Sequence, residues 1–141
     1  MNIADDIVIS LHEEMKKYIK VSNGYRTNPN IFFGAFSPEE VETFPAIGFD
    51  VIDEDFDTVY QNNEGMGFIS FDIYGYVYSD GIDRISDIRN ISHDVLHFIM
   101  NDFSYTDDVE ITDKLQYSGY KTLAFKLPIR VNYEYTGTTI K

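Results

Sequence analysis

Residues 121–135 read Lys121-Thr122-Leu123-Ala124-Phe125-Lys126-Leu127-Pro128-Ile129-Arg130-Val131-Asn132-Tyr133-Glu134-Tyr135. In an extended chain one face carries Leu123, Phe125, Leu127, Ile129, Val131, Tyr133 and Tyr135. The other face carries Thr122, Lys126, Arg130, Asn132 and Glu134. Side chains alternate across a strand with period two, so this run predicts a strand far longer than the usual five or six residues. Pro128 removes one ladder donor and demands an edge, a bulge or a bend there. Asp107 to Tyr117 reads as a second long strand, joined to the first at Ser118-Gly119. The closing strand holds no nucleophile, no Gly-rich phosphate loop and no metal cluster, and so points to assembly rather than chemistry.

Upstream of that pair the periodicity changes. Ile3, Ile7, Leu11, Met15 and Tyr18 recur at steps of three or four, with Ala4, Val8 and Ile19 beside them. That spacing predicts a helix over about residues 2–21. Asp5 and Asp6 near its start and Lys16, Lys17 and Lys20 near its end suit the helix dipole, and Asn23-Gly24 stops it. Ile31 to Phe36 is predicted as a short buried strand, Pro45 to Ile52 as a second, and Phe68 to Tyr78 as a third. Asp53 to Glu64 is expected to be a protruding acidic hairpin arm between the second and third strands. A second helix is predicted over 82–101, with Ile85, Ile88, Ser92, Val95, Leu96 and Ile99 inward. The expected fold is α+β, one domain over residues 1–141, in the order α-β-β-β-α-β-β. Its mainly antiparallel sheet of four to five strands is packed by two amphipathic helices.

The third predicted strand has one plain core face, Ile69, Phe71, Ile73, Gly75 and Val77. Its other face, Phe68, Ser70, Asp72, Tyr74, Tyr76 and Tyr78, is too aromatic for ordinary solvent surface and is expected to meet a partner. Composition agrees, with 11 Tyr and 11 Phe among 141 residues. A tyrosine buries its ring while keeping its hydroxyl wet, which suits sheets and interfaces.

The formal net charge is -13. Such a chain repels phosphate backbones, which disfavours specific nucleic-acid binding. There are no cysteines, hence no disulfides or thiol chemistry. No apolar run approaches a membrane span and the N-terminus lacks a signal-peptide pattern, so a soluble chain made in the cytosol is expected.

Motifs with chemical potential are weak. His93 and His97, four residues apart on the predicted helix, share a side as zinc ligands do, but Asp94 stands between them where a zinc protease carries Glu. Both fall on the polar flank of the helix, and His12 is remote. Asp53, Asp55 and Asp57 with Glu64 repeat the carboxylate spacing of a calcium loop, but Thr58 occupies the position that needs glycine. Glu39, Glu40 and Glu42 have nothing apolar over them to shift their pKa values. Gly65-Met66-Gly67 precedes a strand, whereas phosphate loops precede a helix. No catalytic, cofactor-binding or metal residue is therefore assigned.

The order of a first helix, a strand with Phe44-Pro45-Ala46-Ile47, an acidic hairpin and an aromatic strand is distinctive. It continues with a helix reading Asp83-Arg84-Ile85-Ser86-Asp87-Ile88, the Gly119 turn and a closing strand from Arg130 to Tyr135. The layout resembles the tail terminator, or tail completion, proteins of long-tailed bacteriophages, over nearly the whole chain. The resemblance implies a virion protein without enzymatic activity, assembled in the host cytoplasm into a ring, usually of six subunits. That ring caps the head-proximal end of the tail tube, stops tube polymerisation and docks the head connector or stopper. DNA passes through its lumen without specific binding; tail tube protein and tape measure protein are the further partners that the resemblance implies.

On this reading Phe68, Tyr74, Tyr76 and Tyr78 are candidate subunit-interface residues. Lys126 and Arg130 are candidate complements for an acidic neighbour. Asp53, Glu54, Asp55 and Asp57 are the candidate acidic arm or lumen lining. Two rivals are a neck adaptor or minor tail protein, and a domain binding a metal or small ligand through Asp53 to Glu64 or His93 and His97.

Overall fold

The computed structural model describes residues 3–34, 41–59, 65–78 and 81–135; for 57–59 and 135 it describes the backbone alone. The chain folds as α+β. Helix α1 spans Ile3–Tyr18, strand β1 Asn30–Phe33, β2 Ala46–Val59 and β3 Gly65–Tyr78. Helix α2 spans Arg84–His97 and passes into a π-helical turn, Phe98–Asp102. The chain continues through β4, Val109–Ile111, β5, Gln116–Gly119, and β6, Thr122–Tyr135. No helix among the described residues is long and apolar enough to cross a membrane.

The six strands form one mixed sheet in the order β1-β2-β3-β6-β4, with β5 also on β6. β1 runs parallel to β2 and the other pairings are antiparallel. β2, β3 and β6 have 14 residues each, roughly 45 Å of extended chain. Ile47, Phe49, Ile69, Phe71, Ile73, Val77, Leu123, Phe125, Leu127, Ile129, Val131 and Tyr133 point to one side of the sheet. There they join Ile7, Leu11 and Met15 of α1 and Ile88, Ile91 and Val95 of α2 in a single core. Both helices therefore lie on one face, as their apolar stripes require.

The long closing strand is found as expected, but its partner is broken. Asp107 to Tyr117 is not one strand: β4 pairs with Ile129–Val131 and β5 with Leu123–Lys126, leaving 112–115 unpaired as strand. Pro128 supplies the reason. β3 takes the whole of one edge of β6, so β4 and β5 lie end to end on the other. The Pro128 carbonyl accepts from the Thr112 amide at 3.1 Å, so its nitrogen faces that same edge. The ladder breaks where the donor is missing.

The acidic stretch also departs from expectation. Asp53 to Val59 continues β2, and β3 starts at Gly65 rather than Phe68. β6 accompanies β3 as far as Gly65, opposite Tyr135, so the described part of this stretch, residues 53–59, belongs to the sheet and does not protrude as an arm; residues 60–64 lie outside the described residues. Register shifts at Val51/Asp53 and Phe56/Thr58 mark two bulges in β2. The first sends Asp53 and Asp55 to the outer face and Glu54 to the core face. An extended strand cannot wrap its carboxylates around one ion as a calcium loop does. The side chain of Asp57, and all of Glu64, lie outside the described residues.

Smaller corrections concern the helices and the first strand. Ile85, expected inward, is 67% exposed, whereas Ile91 and Asp94 are buried. The strand predicted over Ile31 to Phe36 is an edge strand, and Phe33 is 53% exposed; residues 35–40, with Glu39 and Glu40, lie outside the described residues.

Candidate assembly surfaces

The outer face of the sheet is built by cross-strand rows, whose members share a side. Gly48, Tyr74 and Lys126 make one row, Asp50, Asp72 and Pro128 the next, and Ser70 lies beside Arg130, which pairs with Glu110. Phe68 lies between Asp55 and Asn132. Three of the expected interface aromatics stay at this surface: Phe68 and Tyr74 are half-buried, and Tyr78 is 56% exposed.

Tyr76 does not stay there. It is 3% exposed, packed with Ala46, Ala124, Val41, Phe32, Phe44 and Tyr74. β1 and β2 are parallel neighbours, so the chain must return along the sheet between them, and Val41 and Phe44 do so over this end of the outer face. Tyr76 therefore serves the fold of its own chain. Its ring is stacked with that of Tyr74, centroids 6.5 Å apart at 9°.

Lys126 and Arg130 each have a partner within the chain. Lys126 Nζ lies 3.6 Å from Asp72 Oδ2. Arg130 donates to Glu110 at 2.5 Å, and Asn132 reaches the other oxygen of Glu110 at 3.2 Å. The Arg130 hydrogen bond holds the Glu110 carboxyl below its ordinary range. The guanidinium covers the Phe68 ring at 4.7 Å from its centroid. Burial, and then the carboxylates of Asp72 and Asp50, push the Tyr74 hydroxyl upward. The face is thus a charged, aromatic surface whose side chains mostly pair with one another, while the buried Nε of Arg130 has no hydrogen-bond partner among the described residues.

A second surface, missed by the sequence reading, lies on the helix side at the sheet edge. α2 covers β3 and β6 but not β5. Between them runs a groove of about 480 Å³ lined by Arg84, Ile85, Ile88, Arg89, Tyr117 and Leu123, among others. Ile82 is 96% exposed and Tyr120 73%. Its walls are fixed: Ser92 Oγ and the Tyr117 hydroxyl lie 3.1 Å apart, and Arg84 donates to the Tyr120 carbonyl. Gly119 closes the β5–β6 turn at φ 99°, where a Cβ would meet the Thr122 carbonyl oxygen at 2.1 Å, so only glycine fits. Surface Ile82 and Ile85 beside a tyrosine-rich turn were the available signal.

His93 and His97 line one pocket with Tyr25, Arg26 and Asp94, and His12 lies apart from them. His12 is buried and stacks on Phe33 at 3.9 Å. His97 is exposed and meets Tyr25 edge-on at 5.3 Å. Asp94, between His93 and His97, accepts from the amides of Arg26 at 3.0 Å and Thr27 at 2.9 Å and from the Thr27 hydroxyl. It thus clamps the loop after α1 rather than a ligand. Among the described residues no group of three or more His, Cys, Asp or Glu is placed to hold a metal ion. No family model and no characterised protein sequence matches the chain.

Proposed function

We propose that this chain is a non-enzymatic structural subunit that works by assembling with copies of itself, as the phage tail terminators it resembles do. The observation that supports this best is the one-sidedness of the fold. Both helices and the large core occupy one face of the sheet. The other face keeps Phe68, Tyr74 and Tyr78 at the surface, and an apolar groove stays open at the edge. Open sheet edges and exposed apolar strips are surfaces that proteins cover by association.

In this reading the subunits close into a ring, six being the usual number, at the head-proximal end of a tail tube. The ring ends tube growth and offers a docking face to the head connector. With a net charge of -13 per subunit, a lumen of this chain repels DNA and lets it pass without adhering.

Tail morphology in a strain lacking the gene tests the assignment. Overlong or headless tails are expected. Normal particles would overturn the reading, and tails of correct length left unjoined would move the protein to the neck adaptors.

A further inference from the structure

We propose that the groove between the start of α2 and β5 seats the acidic edge of β2, Val51 to Phe56, from a second copy of this chain. This rests on the self-assembly reading above and names the surfaces that carry it.

The groove combines an apolar floor with positive charge. Ile85, Ile88, Tyr117 and Leu123 line it, with Arg84 and Arg89 alongside. Lys121 stands on the adjoining turn. Three cations at one place stand out in a chain with 11 basic and 24 acidic residues. Ile82 and Ile85, 96% and 67% exposed, hold apolar area in water until something covers them, a cost of about 25 cal/mol per Å².

The occupant must be apolar, acidic and able to lie along a sheet edge. β1 pairs with β2 only from Ala46 to Phe49. Beyond Phe49 the far edge of β2 has no partner strand among the described residues. That segment exposes Val51, Ile52 and Phe56, at 48%, 52% and 46%, with the exposed Asp53 and Asp55 between them, while Glu54 is held by Tyr133. Two such edges cannot pair with each other, because their carboxylates would face one another. The groove beside β5 meets them instead with the guanidiniums of Arg84 and Arg89 on α2. Charge therefore selects unlike edges over like ones.

Position completes the argument. Leu123, in the groove, begins β6, whereas Val51 and Phe56 lie in the rows of Ile129 and Tyr133. The two patches are separated by roughly 20–30 Å along the strands and about 14 Å across them. Complementary patches at opposite corners of one subunit cannot satisfy each other within it. They join copies head to tail, which gives a ring where the rotation closes and a filament where it does not.

The chain has no cysteine, so introduced thiols report contacts cleanly. Ile85→Cys protein mixed with Ile52→Cys protein and a short bis-maleimide crosslinker is expected to give heterodimer. The yield should be at least about tenfold above that of Ile85→Cys mixed with Glu13→Cys, since a seated contact raises effective concentration. The variant carrying both cysteines should give a ladder of higher species. Arg89→Glu should weaken assembly, and adding Asp55→Arg should restore it, with circular dichroism reporting the fold of each variant. Crosslinking at the control level while the unmodified chain still forms oligomers would overturn this interface and leave self-assembly standing. A wild-type chain that stays monomeric would overturn both.

Discussion

The Tyr133 hydroxyl donates to Glu54 Oε1 at 2.6 Å, reaching from β6 to β2 across the intervening strand. The reach is possible because Gly67 stands opposite Tyr133 on β3. A Cβ at Gly67 would meet the ring between 2.9 and 3.1 Å. One carboxylate of the acidic segment is thereby tied to the core.

Removing the tie gives the first prediction. Tyr133→Phe should lower stability by about 0.5–1.5 kcal/mol in chemical denaturation, the usual net worth of one such hydrogen bond. Gly75→Ala should cost more. Its Cβ would lie 1.9 Å from the Phe125 ring, and overpacking of this kind costs about 1–3 kcal/mol or more.

Asp94 is 3% exposed and serves two backbone amides and a hydroxyl. Asp94→Ala leaves those donors without their acceptor and should destabilise by about 2–4 kcal/mol. Asp94→Asn keeps one acceptor oxygen and should lose less. Equal stability of all three proteins in urea would refute the clamp.

Alkaline titration should separate the tyrosines. Burial and the hydrogen bond to Asp102 hold the Tyr25 proton, and burial and the bond to Asp6 hold that of Tyr105; both hydroxyls are pushed well above the ordinary 10.0. A raised folded-state pKa means that the folded chain keeps protons the unfolded chain releases. Their contribution is whole below pH 10 and declines as pH rises beyond it. Absorbance titration should show late-ionising tyrosines that disappear in Tyr25→Phe and Tyr105→Phe, and urea stability should fall above pH 10.

Tyr76 and Tyr78 should part company. Tyr76→Ala removes a ring packed under Val41 and Phe44 and should cost about 3 kcal/mol. Tyr78, 56% exposed, should tolerate alanine with little change in thermal stability.

Much of this was legible in sequence because it is periodic. The run from Leu123 to Tyr133 and the stripe of Ile7, Leu11 and Met15 repeat with the period of the element they form. The break at 112–115 was not, because sequence shows that Pro128 lacks a donor but not which edge the missing donor faces. Asp53 to Asp57 read as a solvated arm since carboxylates disfavour strands; pairing with β3 overrides that preference. Asp94 lies three residues after Ile91 and four before Phe98, on the buried stripe, so the helical wheel did mark it. The groove beside α2 was signalled only by Ile82 and Ile85 near a tyrosine-rich turn; its shape depends on β5 extending past the helix that covers its neighbours.

Sedimentation velocity of the purified chain over a wide concentration range tests the central claim most directly. The account predicts one species of fixed copy number, seen as a closed ring by electron microscopy and weakened by Ile85→Glu. A strict monomer at the highest concentration reached would contradict it.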